Sequence, residues 1–436
     1  MLDLAGRTSD IQRMGAQTHF DVIMVGGGLA GGLAALCLQR AGFSCALIDA
    51  QDPAAMRATS FDGRTTAISY ASARVFKRIG VWDAIAPEAG PINDILVTDG
   101  EATGRFRQGH VSPLSMHFDS RTLTDADGAK TPLGWIAPNA TLRQALFAAI
   151  ADAPDITLIA PATRRAAAFD SGRASVTVAD HKTGEEKTLT AALVIAADGK
   201  RSALRMEAGI KANHWRYKQS GIVATVSHER AHHGVAQEFF LPSGPFAILP
   251  MTENRSSLVW TEDSDAAPVF MGLDDEAFIA ALTDRFGPYL GKVDLAGPRF
   301  SYPLSFHLSH TFIAPRLALI GDAARAIHPI AGQGYNLGVK DIAALTDVLT
   351  EARAVGLDIG ASNVLENFQR WRRFDSTTLA LGTDVLNRLF SNRFAPIRLA
   401  RRLGIAAVNR SAPLRTMFMR QAGADLGTLP SLMQPI

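Results

Sequence analysis

Three acidic residues stand at the ends of apolar runs, where they could do chemistry. Asp322 closes LALIGD at 317–322 and is followed by His328-Pro329 and by glycines 332, 334 and 338 around Gln333 and Asn336. Asp198 closes LVIAAD and is followed by Gly199, Ser202 and Arg205. Asp49 closes CALID, 21 residues after Gly28. A carboxylate at a strand end can accept hydrogen bonds from sugar or alditol hydroxyls. A glycine turn that opens a helix offers unpaired N–H groups and the positive end of the helix dipole to an anion or an electron-rich ring edge. The chemistry suggested is the holding of a long, phosphorylated, polyhydroxylated ligand.

The elements that must position these groups can be read around them. Residues 20–25, FDVIMV, predict a strand, 29 to about 41 an apolar helix stopped by Gly42, and 44–48 a second strand. In this βαβ opening Gly26 permits the tight turn, Gly28 lets the backbone approach a pyrophosphate, and Gly31 allows close helix–strand packing. Asp49 is then placed to accept from a ribose. The motif alone does not separate FAD from NAD. Two later segments decide for FAD, Asp198-Gly199 with Ser202 and Arg205 after the strand at 193–197, and Gly321-Asp322: a plain nicotinamide dehydrogenase has no use for the second Gly-Asp, whereas a flavin's ribityl chain needs a carboxylate far from the adenosine end. On this reading Asp322 takes a ribityl or ribose hydroxyl, Pro329 turns the chain under the isoalloxazine, and Asn336 is a further cofactor contact. The amides from Gly332 to Gly334 would face the flavin N1–C2=O edge, where reduction leaves negative charge. No residue stands in a flavin-linkage motif, so the FAD is expected to be non-covalent.

The rest of the chain bounds the answer. Its 436 residues exceed one ordinary core and predict two or three domains. With 47% apolar residues, 20% charged and a net charge of +2, the composition is globular and argues against a dedicated nucleic-acid binder. The first 17 residues lack an apolar period and are expected to be a disordered tail. Neither a secretory signal nor an apolar run of about 18 residues appears, so a cytoplasmic protein is expected unless something attaches it to a membrane. Cys37 and Cys45 have no metal or redox spacing and read as buried thiols. His232-His233 reads as a solvated loop pair with no further ligand nearby, and no metal site is expected. His328, beside a proline at a turn, reads as structural and not as a catalytic base.

Together, Gly26-x-Gly28-x-x-Gly31, Asp198-Gly199-x-x-Ser202-x-x-Arg205 and Gly321-Asp322 resemble the group A flavoprotein monooxygenases, aromatic hydroxylases of the para-hydroxybenzoate hydroxylase fold. The stretches HPIAGQGYNLGVKD (328–341), DGRTTAIS (62–69), GPFAILP (244–250), YPL (302–304) and TDVLNRLFSN (383–392) are similar to the ubiquinone-biosynthesis hydroxylases, over residues 20 to 422. Many relatives carry His where this chain has Arg325, and Glu where it has Asp49. Arg325 is read as able to help neutralise the pyrophosphate, and Arg64 resembles the family's flavin-contacting arginine. The resemblance implies that NADPH or NADH visits transiently as reductant. It further implies that reduced flavin adds O2 to give a C4a-hydroperoxide, which hydroxylates a polyprenylated phenol. A group A flavoenzyme acting on another aromatic or polyprenyl substrate, or a non-catalytic lipid-binding or scaffold flavoprotein, remains as an alternative.

The fold class expected is α/β. A discontinuous Rossmann-like FAD-binding domain (18–92, 121–206 and 307–375) is joined to an antiparallel-sheet substrate domain (93–120 and 207–306) and a C-terminal helical, basic region (376–436). Alternating runs such as QEFFLPSGPFAILPM point to the antiparallel sheet. Phe240, Pro245, Phe246, Leu249 and Pro250 are expected to form an apolar substrate wall, with Tyr302-Pro303-Leu304 leading the chain back. Between 385 and 420 the chain has eight arginines and no acidic residue, interleaved with Leu389, Phe394, Ile397, Met417 and Phe418. That pattern suits a peripheral membrane or partner-docking surface; the resemblance, through a substrate whose polyprenyl tail stays in the bilayer, implies that this is the inner membrane or a ubiquinone-biosynthesis protein assembly.

Overall fold

The computed structural model describes residues 17–57, 63–99, 116–122, 131–390, 411–423, 425 and 427–436. The expectations for the tail 1–16 and for 391–410 lie outside the described residues.

Strand β1 (His19–Val25) is apolar almost throughout because it is covered on both faces, with Val22, Ile23 and Met24 fully buried. It pairs in parallel with β2 (Cys45–Ile48) and β11 (Glu186–Ala196). Beyond them lie β8 (Ile156–Ile159) beside β2 and β19 (Leu317–Leu319) beside β11, also parallel, with the short β18 (Ile313–Ala314) antiparallel at the edge. An antiparallel pair, β9 (Ala162–Phe169) and β10 (Ala174–Asp180), extends from β11. Helix α1 (Leu29–Arg40) is buried from Gly31 to Leu38, as its all-round apolar sequence requires.

The second sheet has nine strands, in the order β20-β17-β12-β15-β14-β13-β5-β6 with β16 beside β12. Its members are β5 (Asp94–Asp99), β6 (Met116–Asp119), β12 (Ala212–His228), β13 (Val235–Leu241), β14 (Gly244–Pro250), β15 (Arg255–Asp263), β16 (Val293–Leu295), β17 (Phe300–Ser309) and β20 (Arg325–Ala326). It is antiparallel except where β13 meets β5. A small sheet of β3 (Thr65–Ser69), β7 (Gly134–Pro138) and β4 (Gly90–Ile92) interleaves in sequence with the two large ones, and β7 leads directly into the helix that Asn139 begins.

Helix α2 (Tyr70–Arg78) is capped by Ser69, whose Oγ accepts from Ser72 N. Helices α3 (Asn139–Asp152) and α6 (Gln333–Ala354) pack on α1, α4 (Ala203–Glu207) follows Asp198, and α5 (Asp275–Phe286) covers one face of the second sheet. Helix α7 (Ser362–Phe390) runs 29 residues without a break at 376, so the helical character expected from about that residue begins earlier, at Ser362. Helix α8 (Ala412–Ala422) follows the undescribed stretch. The two cysteines are buried, and burial pushes the Cys37 thiol up to about 12.

Candidate functional site

The C-terminal ends of β1, β2, β11 and β19 deliver the residues singled out in the sequence to one edge of the parallel sheet, the place where open α/β sheets hold ligands. Gly26 adopts φ +104°, and a Cβ there would sit 2.4 Å from Ala197 O, so only glycine fits. A Cβ on Gly31 would lie 1.8 Å from Gly26 O, which fixes the close approach of α1 to the turn. Gly28 differs: it is exposed, meets nothing within 4 Å, and caps α1 without a side-chain hydrogen bond. The first-turn amides of α1 therefore lie open to an anion. Asp49 accepts from Gly27 N at 2.5 Å and from Gln51 N at 2.7 Å. A carboxylate has about four acceptor positions, so two remain for hydroxyls.

Asp198 accepts from Ala203 N at 2.9 Å through Oδ2 and so caps α4, while its buried Oδ1 has no partner among the described residues. Gly199 takes φ +78° to make the turn. Ser202 Oγ accepts from Arg205 N, and Arg205 reaches both Lys200 O and His307 Nε2 at 2.9 Å. Gly321 has φ +55° and faces Ala30 of α1. Asp322 is solvent-accessible yet lies deep among protein atoms, as the wall of a cleft does, and has no hydrogen-bond partner among the described residues. The surrounding protein raises its carboxyl pKa against the pull of Arg325 and Lys200.

The second glycine turn sits beside the first, since Tyr335 Oη donates to Leu29 O at 3.3 Å and a Cβ on Gly338 would lie 3.3 Å from Gly321 Cα. Gly332 caps α6 at φ +61°, again with no side-chain cap, and a Cβ there would meet Ala67 at 2.6 Å. Gly334 meets nothing within 4 Å. Pro329 and Ile330 lead into this turn through one 3-10 turn. His328 is 1% exposed, both ring nitrogens lack partners among the described residues, and burial lowers its pKa to about 4. It packs edge-on against Tyr217, whose hydroxyl donates to Asp384 at 2.7 Å.

Four sequence expectations need correction. Asn336 was expected to touch the cofactor, but its buried amide is committed to backbone: it accepts from Ser69 N and donates to Ala67 O and Gly332 O, lashing the turn to β3. Arg325 points inward and not toward a pyrophosphate; its Nη1 lies 2.8 Å from Asp341 Oδ2 with both side chains buried. Asp341 is shared with Arg372, and Asp375 links Arg372 to Lys340, so a buried charge network underlies the turn. Phe246 lies on the wrong face for the expected wall. The period-2 pleat puts it with Trp260 and Phe278 against α5, and Pro250 shares its parity, whereas Phe240 and Leu249 join Ile330 in the opposite cluster. Pro245, paired with Phe240, falls on that second face by the same alternation. His232 is not simply solvated: its Nε2 donates to Met251 O and its Nδ1 accepts from Gly234 N. Arg64 is exposed at the start of β3, where its carbonyl accepts from Asn139 N. Tyr302-Pro303-Leu304 lies on β17 against β12. Among the described residues no group of three His, Cys, Asp or Glu is placed to hold a metal.

No sequence expectation covered Gln333's tie to the C-terminal helix, in which Nε2 donates to Ala422 O at 2.9 Å, or the burial of Met419 with Ile330 and Phe240. Nor did any cover the role of Asp341. The visible signal was a Lys-Asp pair inside an otherwise apolar stretch of α6.

Two open helix N-termini, a cleft carboxylate without a partner among the described residues and an exposed glycine that leaves open space before the first helix form a donor and acceptor set that fits FAD. A model of the FAD binding domain family matches residues 19–358. The ubiquinone hydroxylase UbiL of Rhodospirillum rubrum is 46% identical over 409 residues, 94% of this chain and 90% of its own length. The 3-demethoxyubiquinol 3-hydroxylase of Escherichia coli is 34% identical over 92% of this chain and 98% of its own. The mitochondrial ubiquinone biosynthesis monooxygenase COQ6 of Mus musculus is 31% identical over 93% and 91%. Among solved structures, the p-nitrophenol 4-monooxygenase PnpA of Pseudomonas putida has a TM-score of 0.76 at 18% identity, over 95% of this chain and 100% of that one. The flavin-dependent monooxygenase PieE, solved with FAD and substrate, gives 0.70 at 19% identity, over 95% and 75%. At such identities the likeness is one of fold. The chain is a FAD-binding flavoprotein of the para-hydroxybenzoate hydroxylase fold. Within that class it belongs to the ubiquinone-biosynthesis hydroxylases, the FAD-dependent aromatic monooxygenases.

Proposed function

We propose that the protein hydroxylates the aromatic ring of a polyprenylated phenol in ubiquinone biosynthesis, with non-covalent FAD and with NADPH or NADH as a transient reductant. One atom of O2 enters the ring and the other leaves as water; a hydride from the nicotinamide (two electrons and one proton) and one proton from solvent complete the balance. The observation that carries this reading is the convergence of Gly28, Asp49, Asp322 and the Gly332–Gly334 turn on one sheet edge, beside an apolar cluster that includes Ile330 and Phe240. The names of the relatives given above support the substrate class.

Bound FAD supplies electron transfer and oxygen activation. The chain's own work is to bind, orient and exclude water. Amides at the start of α1 would hold the pyrophosphate, Asp49 a ribose and Asp322 a ribityl hydroxyl, while the start of α6 would favour negative charge on the reduced ring. Phe240, Leu249 and Ile330 would give the substrate ring a dry wall. The parallel-sheet and antiparallel-sheet segments would then serve as FAD-binding and substrate domains. Peripheral attachment at the inner membrane rests on the arginine-rich segment and on exposed Val385, Leu389, Leu414, Met417 and Phe418 at the two helices that flank it. None of the described helices is long and apolar enough to cross a membrane. Anionic-vesicle co-sedimentation tests that attachment, and its salt sensitivity would show the basic residues at work.

Two measurements test the whole reading. The purified protein should be yellow and release FAD on heating, and Asp322→Ala should weaken FAD binding by about 1.5–3 kcal/mol. Expression in a strain lacking its ring hydroxylase should restore ubiquinone. Recovery of NAD in place of FAD, or unchanged accumulation of the unhydroxylated intermediate, refutes it.

A further inference from the structure

The C-terminal helix α8 is tied to the second glycine turn and not merely draped over the surface. At its end, Ala422 O accepts from Gln333 Nε2, Gly423 O accepts from Ala71 N at 3.4 Å, and Asp425 accepts from Tyr70 Oη at 2.7 Å. Gly423 packs so tightly that a Cβ would lie 2.0 Å from the Tyr70 ring. The last residues then strap the chain down. Arg74 donates to Met433 O, Arg78 to Gln434 O and Pro435 O, and Ser431 N donates to Asp347. The end of the helix is therefore fixed on both sides of the turn it contacts.

From this fixed helix a single described residue goes inward. Met419 is 5% exposed and belongs to the buried cluster that holds Phe240 and Ile330, with Leu249 packed against it. Its neighbours Met417 and Phe418 are 47% and 37% exposed on the outer side. The cluster thus draws its apolar atoms from four sources: the second sheet, the small sheet through Ile92, Ile136 and Ala67, the glycine turn and the C-terminal helix. A methionine is unbranched and deformable, and fills irregular space against aromatic groups at little cost.

We propose that Met419 is a specificity-determining residue of the hydroxylase: α8 forms one wall of the chamber for the aromatic ring, and Met419 sets the size of ring substituent accepted. Gln333 is the positioning residue that holds this wall against the turn. The inference rests on the functional reading above and deepens it. It gives the arginine-rich C-terminal segment a part in substrate selection as well as in attachment.

The test uses the full-length, FAD-loaded protein and a pair of tail-less phenols that differ only in the size of one ring substituent. Binding is read from the change in flavin absorbance, and the fraction of reducing equivalents diverted to hydrogen peroxide is measured alongside. A one-carbon change in an apolar pocket shifts discrimination roughly tenfold or more. Met419→Ala is expected to move the affinity ratio at least roughly tenfold toward the larger phenol and to raise peroxide release. Met419→Leu, of similar volume, should keep the wild-type ratio. Gln333→Leu should raise peroxide release and expose the C-terminal segment to protease. An affinity ratio identical in wild type, Met419→Ala and Met419→Leu, at equal flavin content, overturns the inference while leaving the proposed activity standing. If Met419→Ala loses flavin, Met419→Val replaces it, and an unmoved ratio there overturns the inference equally. Failure of the wild type to bind either phenol overturns the functional reading, and this inference with it.

Discussion

The two glycine turns lie side by side and present the same kind of surface, yet they are held by different means. The first is fixed by its own backbone: Gly26 and Gly31 leave no room for a side chain against Ala197 O and Gly26 O, and Asp49 accepts from the adjacent Gly27. The second is fixed from a distance. Asn336 lashes it to β3, Gln333 to Ala422, and Arg325 beneath it is held by Asp341, which Arg372 of α7 shares. A turn set by local sterics can be recognised from a short motif. A turn set by long-range polar ties shows only its glycines, because the partners lie tens to hundreds of residues away.

The largest effect expected from this contrast is at Asp341. Its carboxylate faces two buried guanidiniums, and removing one partner of a buried ion pair costs about 3–5 kcal/mol because charge is left uncompensated. Asp341→Asn should lower the unfolding midpoint steeply, whereas Asp49→Asn, at a half-buried site bonded to backbone N–H groups, should mainly weaken FAD binding. Thermal melts with and without added FAD separate the two. Equal losses of stability in both variants would erase the distinction between the turns.

Gly31→Ala comes next. The added methyl would lie 1.8 Å from a backbone oxygen that cannot move without the turn, so the cost should reach or pass the roughly 1–3 kcal/mol usual for overpacking. Flavin content of the purified variant checks this. Gly334→Ala, with open space around the same atom, should cost only a fraction of that in stability.

These contrasts also explain what the sequence could reveal. The βαβ opening, its carboxylate and the strand that ends in Asp322 were legible, because apolar runs and glycine spacing encode local geometry. The face taken by Phe246 was not. Every residue of GPFAIL is apolar, so composition gave no alternation, and only the helix packed on the far side of the sheet assigns Phe246 inward. Arg325 was misread because an arginine near a phosphate-binding turn looks cationic and exposed, while its true partner, Asp341, lies on the next helix.

Acid should act on the second region through its histidines. Burial lowers His328 to about 4, and burial with the nearby Arg205 lowers His307 to about 4, against about 6.5 in an unfolded chain. Asp384 opposes the shift at His328, and His214 and Lys200 add to it at His307. Both folded-state values are depressed, so the unfolded chain takes up these protons first. Stability is complete above about pH 6.5 and falls as pH drops from there toward about 4. A loss of about 2 kcal/mol for each ring, about 4 for the two together, is expected by pH 5, and His328→Gln should remove about half of it. Hydrogen exchange in acid should quicken around 321–345 before it does around 19–48. A profile flat from pH 8 to 5 would show that these rings titrate normally.

The smallest effect sharpens the comparison at its edge. Tyr70 begins α2, directly after the β3 strand that Asn336 grips, and its hydroxyl donates to Asp425 beyond the end of α8. Burial, followed by that bond, raises the phenol pKa, so Tyr70 stays a donor across the working range of pH. Tyr70→Phe removes one hydrogen bond, worth about 1 kcal/mol, without opening space. Global stability and flavin content should scarcely change. What should change is local: amides at 419–423 should exchange faster, because one of three ties on the helix end is gone, while those of the first glycine turn should not respond. If exchange instead rises equally in both turns, the C-terminal helix braces the whole site, and the division into a locally built turn and a remotely held one does not stand.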